Sequence, residues 1–131
     1  MVANNSALRV LVVEDDALLR WALVETLTAV GHTVVEAVDG AGALGKVRDS
    51  SAPFDVVLLD CCLPDCDGLT LLASIHRWTP TSAVVLMTPL GDVAVAPQAR
   101  RLGAAGVLNK PFDMHLVNGT LMEAAGGGSP G

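Results

Sequence analysis

Five polar residues stand at or just beyond the ends of short apolar runs in this sequence of 131 residues: Glu14, Asp15, Asp60, Thr88 and Lys110. The runs have the composition of strands that are buried on both faces of a parallel sheet. Ligands of such sheets bind outside the carboxyl ends of the strands. We therefore expect these five side chains to share one crevice.

Three carboxylates in one crevice repel each other, and this repulsion predicts a cation among them. Oxygen ligands with room for water suit Mg²⁺ or Mn²⁺. A divalent ion, the Lys110 ammonium and the Thr88 hydroxyl would together surround one further anion, and a phosphoryl group fits that description. On this hypothesis Asp60 is a nucleophile that forms an acyl phosphate.

Strands and helices must alternate along the chain to place these residues. Apolar runs and turn residues predict strands over residues 8–13, 33–38, 55–60, 82–87 and 105–109. Helices are predicted over residues 17–30, 41–48, 69–78 and 114–125, the first capped by Asp16 and the last by Asp113. A further helix is expected from about residue 97, because proline suits a first turn. The alternation predicts a doubly wound α/β fold with helices on both faces of a parallel sheet.

Composition places the chain among single packed domains. Apolar residues make up 51% and charged residues 17%, which excludes a disordered chain. Residues 1–125 are interpreted as the domain and residues 126–131 as a flexible Gly-rich tail. The net charge of −6 disfavours direct contact with nucleic acid. No apolar run reaches the roughly 18 residues of a membrane span and the N-terminus does not resemble a signal peptide, so we expect a cytoplasmic protein.

Four stretches of the sequence resemble the receiver domain of two-component response regulators. VLVVEDD (10–16), DVVLLDCCLPDCDGL (55–69), VVLMT (84–88) and GAAGVLNKPF (103–112) follow one another in the order of that family. The resemblance extends from residue 8 to about residue 123. It implies a five-stranded parallel sheet with the flavodoxin-like strand order 2-1-3-4-5. It also implies a switch that phosphorylation activates, which catalyses only its own phosphorylation and dephosphorylation.

The resemblance assigns roles to the residues of the crevice. Asp60 matches the phosphoacceptor, and Glu14 and Asp15 match the acidic pair that holds Mg²⁺ or Mn²⁺ together with it. The backbone carbonyl of Cys62 would complete the protein ligands of the metal. The family implies a sensor histidine kinase or a phosphotransfer protein as the phosphoryl donor. A downstream effector or a tethered output domain would receive the signal, without direct binding to nucleic acid or membrane.

The second half of the site both matches the family and departs from it. Thr88 matches the switch hydroxyl that bonds the phosphoryl group, and Lys110 matches the lysine that neutralises it. The resemblance also implies a cis peptide bond between Lys110 and Pro111. However, Val107 stands where the family has an aromatic switch residue, and Pro89 replaces a small residue after Thr88. Together with Pro97, these two residues predict that the output face is remodelled or that its switching is reduced.

Several alternatives remain open from the sequence. A pseudo-receiver, which is a protein-interaction module with weak or no phosphorylation-dependent switching, is the second hypothesis. A nucleotide or flavin binder on the same topology is disfavoured because the acids after the first strand would repel phosphate. The tail fits either a stand-alone receiver or one that is joined to an effector domain.

Three cysteines, Cys61, Cys62 and Cys66, lie within six residues, which excludes a disulfide framework between distant segments. Reduced thiols that fill small sites are the favoured interpretation, and oxidation-sensitive modulation is the alternative. The histidines are predicted to lie at the surface or at helix ends, and the tryptophans are predicted to pack against helix faces: His32, His76 and His115, and Trp21 and Trp78.

Overall fold

The computed structural model describes residues 7–89 and 92–126, in which five strands and five helices alternate. The elements are β1 (Arg9–Val13), α1 (Ala17–Ala29), β2 (Thr33–Ala37), α2 (Gly40–Asp49), β3 (Val56–Asp60), α3 (Gly68–Trp78), β4 (Ala83–Pro89), α4 (Val95–Arg101), β5 (Gly106–Lys110) and α5 (Met114–Ala125). Of the predicted Gly-rich tail, Gly126 lies within the described residues and residues 127–131 lie outside them. Among the helices of the described ranges, none is long and apolar enough to cross a membrane.

The five strands form one parallel sheet in the order β2-β1-β3-β4-β5. The apolar runs of the sequence become its inner strands, and every residue of β3 is buried. Such strands need apolar side chains on both faces because helices cover each face. The predicted doubly wound α/β fold and its strand order are confirmed.

Two separate apolar layers hold the helices against the sheet. Along β3, Val57 and Leu59 face the layer that contains α2, α3 and α4, whereas Val56 and Leu58 face the layer of α1 and α5. This alternation follows from the two-residue period of a strand. Full burial of each such side chain stabilises the fold by about 1.5–3 kcal/mol. The strands are therefore firmly packed, and their carboxyl ends are held in fixed positions.

Aspartates begin four of the five helices. The side chains of Asp16, Asp39, Asp67 and Asp113 accept backbone N–H groups at the starts of α1, α2, α3 and α5. Each such cap stabilises a helix by about 1 kcal/mol. The predicted caps at Asp16 and Asp113 are confirmed.

The α4 helix is the irregular element, as its sequence predicts. It has seven residues, and no side chain caps its first turn. Pro97 is its third residue, where a missing N–H breaks no helical hydrogen bond. The helix therefore begins at Val95, about two residues before the predicted start. The preceding strand β4 also runs to Pro89, beyond the predicted end at residue 87.

Three aromatic side chains depart from the predictions. His32 is buried rather than at the surface: its Nδ1 accepts the Leu8 N–H at 2.9 Å, and its Nε2 lies 2.6 Å from Asn118 Oδ1. With Nδ1 as an acceptor, the proton must be on Nε2, which donates to Asn118. Trp21 and Trp78 are each 61% exposed, so the prediction that they pack is wrong. Helical periodicity identifies a face but not the neighbour that covers it.

Candidate functional site

The carboxyl end of the sheet brings the three predicted carboxylates together. Glu14 and Asp15 follow β1, and Asp60 is the last residue of the adjacent strand β3. One carboxylate oxygen from each lies within 4.8 Å of the others. Glu14 and Asp60 are buried, whereas Asp15 is exposed. At that separation each pair repels by roughly 3 kcal/mol in a medium of effective dielectric constant about 20.

Lys110, at the end of β5, supplies the positive charge that faces this cluster. Its Nζ lies 3.0 Å from Glu14 Oε1 and 3.2 Å from Asp60 Oδ1. The two carboxylates are almost inaccessible to water, with side-chain exposures of 1% and 4%. One ammonium group therefore balances part of the charge of three carboxylates, and an excess of negative charge remains in the cleft.

Burial and charge shift the proton affinities in this cluster. Burial is the main cause that raises the pKa of Glu14, and the nearby charge of Asp60 adds to it. Hydrogen bonds from the Asp16 amide and from Lys110 act in the opposite direction but do not cancel the effect. For Lys110 burial alone would lower the pKa, but the contacts with Glu14 and Asp60 outweigh it, so the pKa is raised. Lys110 thus remains protonated at neutral pH.

The backbone and a second basic residue fix the position of Glu14. Its Oε2 accepts the Asp16 N–H at 3.0 Å, and its backbone carbonyl accepts the Arg20 Nη1–H at 2.9 Å. Arg20 also pairs with Glu36 on β2, at 3.1 Å. Sequence reasoning missed Arg20, although its place one turn into α1 puts it within reach of the loop after β1.

The two carboxylate oxygens of Asp60 have different surroundings. Oδ1 accepts the Lys110 ammonium and also the backbone N–H of Cys62, at 3.2 Å in both cases. Within the described ranges, Oδ2 accepts no hydrogen bond. Hydrogen bonds therefore fix Oδ1 of Asp60, whereas Oδ2 has no such bond to another described group.

Thr88 is fully buried in β4, and its hydroxyl has no hydrogen-bond partner among the described residues. The Cys61 thiol lies near this hydroxyl without forming a hydrogen bond to it. A buried hydroxyl in this condition costs about 1–3 kcal/mol. Most buried polar groups have partners, so this hydroxyl near the end of a site strand has hydrogen-bonding capacity that no other described group uses.

The two residues that depart from the family pattern lie on β5 and at the end of β4. Val107 on β5 is half-buried and packs with the layer of α2, α3 and α4. Pro89 is exposed at the end of β4, opposite Lys110 in the register of the two strands. The peptide bond between Lys110 and Pro111 is cis, as the resemblance implies.

The loop after β3 is tied to the start of α2 by Asp65. Its carboxylate accepts the backbone N–H groups of Gly40 at 2.8 Å and Ala41 at 3.0 Å. These two hydrogen bonds are the main cause that lowers the pKa of Asp65. The sequence predicts only a turn residue here, because nothing in the local pattern signals a bond to another segment. At the end of the same loop, a Cβ on Gly68 would collide with the backbone of Cys61, so the close approach requires glycine.

All three cysteines are free thiols, as predicted. Cys61 is half-buried and Cys62 is exposed, and their sulfur atoms lie 3.1 Å apart. Burial, together with the contact with Cys62, raises the pKa of Cys61 to about 12. Burial also raises the pKa of Cys66, and the charge of Asp65 adds to this effect.

The donor atoms of the cluster fit a hard divalent cation. The side chains of Glu14, Asp15 and Asp60 offer oxygen atoms alone, and these oxygens converge within 4.8 Å. Mg²⁺ prefers such carboxylates and keeps several waters or phosphate oxygens as further ligands. An exposed Asp15 leaves one side of the cluster open to those ligands. The backbone carbonyl of Cys62 as an additional ligand remains a prediction.

Known proteins of similar sequence include response regulators. The chain is 42% identical over 125 residues to the response regulator protein FleR of Pseudomonas aeruginosa, which covers 95% of this chain and 26% of FleR. It is 33% identical over 115 residues to the chemotaxis protein CheY of Treponema pallidum, covering 87% of this chain and 80% of CheY. The crystal structure of the receiver domain of NtrX from Brucella abortus matches with a TM-score of 0.77 and 32% identity. That match covers 87% of this chain and 98% of the NtrX domain.

The family assignment covers most of the sequence. The chain spans about a quarter of the length of FleR. The pattern of the response regulator receiver domain matches residues 10–121, from β1 into α5. Receiver domains act as switches that phosphorylation activates, and an acidic cluster is present at the carboxyl end of this sheet. The chain belongs to the receiver domain family of response regulators.

Proposed function

We propose that this chain accepts a phosphoryl group on Asp60 from a phosphohistidine, in a reaction that depends on Mg²⁺ or Mn²⁺. The donor would be a sensor histidine kinase or a phosphotransfer protein. The observation that carries the proposal is the convergence of three carboxylates, with the Lys110 ammonium 3.2 Å from Asp60 Oδ1. The unpaired hydroxyl of Thr88 supports it further.

The free oxygen of Asp60 is the proposed nucleophile. Oδ1 is held by Lys110 and by the Cys62 amide, which leaves Oδ2 to attack phosphorus. A bond forms between Oδ2 and phosphorus while the bond between phosphorus and the histidine nitrogen breaks. The electron pair of the broken bond returns to the imidazole nitrogen, and the product is an acyl phosphate. In-line positioning and charge neutralisation carry most of such a transfer.

The neighbouring side chains would stabilise the added charge. Glu14, Asp15 and Asp60 would hold the divalent cation, with the Cys62 carbonyl as a further ligand. When bound, the cation would neutralise charge on the phosphoryl oxygens. Lys110 would move from its bond with Asp60 to a phosphoryl oxygen, and Thr88 would donate its hydroxyl hydrogen to another. Thr88 would then gain a hydrogen-bond partner that it lacks in the unphosphorylated protein. Lys110 would gain a phosphoryl oxygen as a partner in place of Asp60.

The proposed activity serves signalling and not the conversion of a metabolite. The chain would catalyse its own phosphorylation and dephosphorylation, and pass the signal to a downstream effector or a tethered output domain. Val107 favours a second candidate, because a half-buried valine cannot follow Thr88 in the way an aromatic ring would. That candidate is a pseudo-receiver, an interaction module in which phosphorylation changes little.

Intact mass spectrometry after incubation with Mg²⁺ and phosphoramidate tests the proposal. We expect one phosphoryl adduct on the wild-type chain and none on Asp60→Asn. Asp49→Asn is the matched control, because Asp49 is exposed at the end of α2 and should leave the adduct intact. Absence of the adduct under conditions where the metal binds would overturn the proposal and favour the pseudo-receiver. Equal labelling of Asp60→Asn would place the phosphoacceptor elsewhere.

A further inference from the structure

Two neighbouring thiols lie beside the proposed phosphoacceptor. We propose that Cys61 and Cys62 form a dithiol site for peroxides, which close it to a disulfide that small-molecule thiols reopen. The effect of this modification on phosphoryl transfer rests on the function proposed above. The oxidation itself does not.

The bend of the chain after β3 brings the two sulfur atoms together. Adjacent residues of an extended strand point to opposite faces, which would separate the sulfurs. Here the chain leaves the strand at Asp60. The Cys61 N–H donates to the Met87 carbonyl at 2.9 Å, and the Cys61 carbonyl accepts the Gly68 N–H at 3.0 Å. In this bend the sulfur of Cys61 lies 3.1 Å from that of Cys62, so the two need to approach by about 1 Å to reach the bond length of about 2.05 Å.

The third thiol, Cys66, faces a different part of the molecule. Its sulfur packs against Gly40 at the start of α2, next to Asp65. In the described part of the chain, the three cysteine sulfurs do not all lie within 4.8 Å of one another. Direct sulfur contact therefore selects Cys61 and Cys62 as the reacting pair.

The difference in exposure between the two thiols sets the order of the steps. A peroxide reaches the exposed Cys62 first. Its sulfur attacks one peroxide oxygen, the O–O bond breaks, and Cys62 becomes a sulfenic acid as water leaves. The sulfur of Cys61 then attacks that of Cys62, the S–O bond breaks, and the hydroxyl leaves as water with the Cys61 proton. Two thiols lose two hydrogens in total, and one hydrogen peroxide becomes two waters.

A disulfide between adjacent residues would be reversible. Neighbouring Cα atoms are about 3.8 Å apart, whereas most disulfides join Cα atoms at about 4.4–6.8 Å. Strained and exposed disulfides are the ones that thiols reduce readily. The proposed modification is thus a transient response to peroxide and not a structural crosslink.

Closure of the disulfide would disturb Asp60 through the backbone. The Cys62 N–H donates to Asp60 Oδ1 at 3.2 Å, and the peptide that carries this N–H joins the two cysteines. A bond between the side chains turns this peptide and weakens the donor. Cys61 also lies near the Thr88 hydroxyl and would be drawn away from it. We expect phosphorylation to slow roughly tenfold, as for the loss of a hydrogen bond to a charged oxygen.

Intact mass spectrometry of the native protein after hydrogen peroxide treatment and alkylation tests the site. Residues 49–76 contain no lysine or arginine, so trypsin leaves all three cysteines in one peptide, and single variants must identify the pair. We expect a loss of two hydrogens in the wild type and in the matched control Cys66→Ser. We expect no such loss in Cys61→Ser or Cys62→Ser. Dithiothreitol added after the peroxide and before alkylation should give the same alkylated mass as the protein that received no peroxide.

Other outcomes would overturn the proposal. Loss of the oxidised product in Cys66→Ser would assign the bond to Cys66. Stable addition of oxygen, or no change at all, would show that the two thiols do not form a disulfide. The rate of phosphorylation by phosphoramidate is measured separately, for oxidised and re-reduced wild type and for peroxide-treated Cys61→Ser. If no form of the chain is phosphorylated, the proposed function fails while the mass shift still decides the dithiol site.

Discussion

Replacement of Lys110 with methionine tests how the cleft balances its charges. The change keeps a long apolar side chain and removes the ammonium group that lies 3.0 Å from Glu14 and 3.2 Å from Asp60. With an effective dielectric constant of about 20, each contact supplies about 5 kcal/mol of gross attraction. The net loss is smaller because water enters the space that the ammonium leaves. Breaking a buried ion pair costs roughly 3–5 kcal/mol, and we expect the lower end, about 3 kcal/mol, because the cleft is open.

Urea unfolding followed by circular dichroism measures this loss. A slope of about 1.5 kcal/mol per molar urea converts it to a midpoint about 2 M lower at neutral pH. Lys46→Met is the matched control, since Lys46 is the other lysine of the chain and is exposed on α2. It should change the free energy of unfolding by no more than about 0.5 kcal/mol.

Two further conditions identify the cause of the destabilisation. Saturating Mg²⁺ should recover much of the loss, because a cation among the carboxylates replaces the missing charge. Acid should shrink the difference between variant and wild type. The pKa of Glu14 is raised in the folded protein, so its contribution favours folding below its ordinary value of 4.5 and is lost as the pH rises through the folded pKa. Protonated Glu14 carries no charge, so the loss of the Lys110 ammonium group destabilises the fold less in acid. The reasoning would be refuted if Lys110→Met lowered the free energy of unfolding no more than Lys46→Met does. It would also be refuted if the loss of unfolding free energy changed with neither Mg²⁺ nor pH.

Three other perturbations test single features of the molecule. His32→Ala removes the bonds to Leu8 and Asn118 and should cost about 2–3 kcal/mol of unfolding free energy, whereas exposed His115→Ala should cost under about 0.5 kcal/mol; similar urea midpoints for the two variants would contradict the buried role. Thr88→Val removes an unpaired hydroxyl, so the unphosphorylated protein should be as stable as the wild type or up to about 2 kcal/mol more stable, and a clear loss in thermal unfolding would mean that the hydroxyl has a partner. The lowered pKa of Asp65 stabilises the fold above its ordinary value of 3.8 and this contribution is lost as the pH falls through the folded pKa. Asp65→Asn should therefore flatten the decline of the urea midpoint in acid, and an unchanged decline would count against the two hydrogen bonds to α2.

Local sequence patterns predict the sheet well because its inner strands are apolar on both faces. β1 and β3 fall within one residue of their predicted ranges, since a buried strand needs an unbroken apolar run with polar residues at its ends. The same rule predicts that Glu14, Asp60 and Lys110 meet, because parallel strands deliver their carboxyl ends to one edge. The structure places these three side chains in contact.

What local patterns miss depends on contacts between distant segments. The bond from Asp65 to the start of α2 crosses 25 positions of the chain, and that from His32 to Asn118 crosses 86. Both use residue types that are equally common at exposed turns and helix ends. The 61% exposure of Trp21 has the same origin, because periodicity shows that a stripe exists but not whether another helix covers it. The unpaired state of Thr88 likewise depends on every group around it.

The bond between Asp65 and α2 has a consequence for the engineering of chimeric regulators. A graft that exchanges only the loop after β3 would remove the carboxylate that accepts the Gly40 and Ala41 amides. A graft that exchanges only α2 would leave that carboxylate facing a foreign helix start. A chimera should therefore exchange the whole segment from Asp39 to Asp67, so that the Asp65 carboxylate and the amides that it accepts come from the same protein.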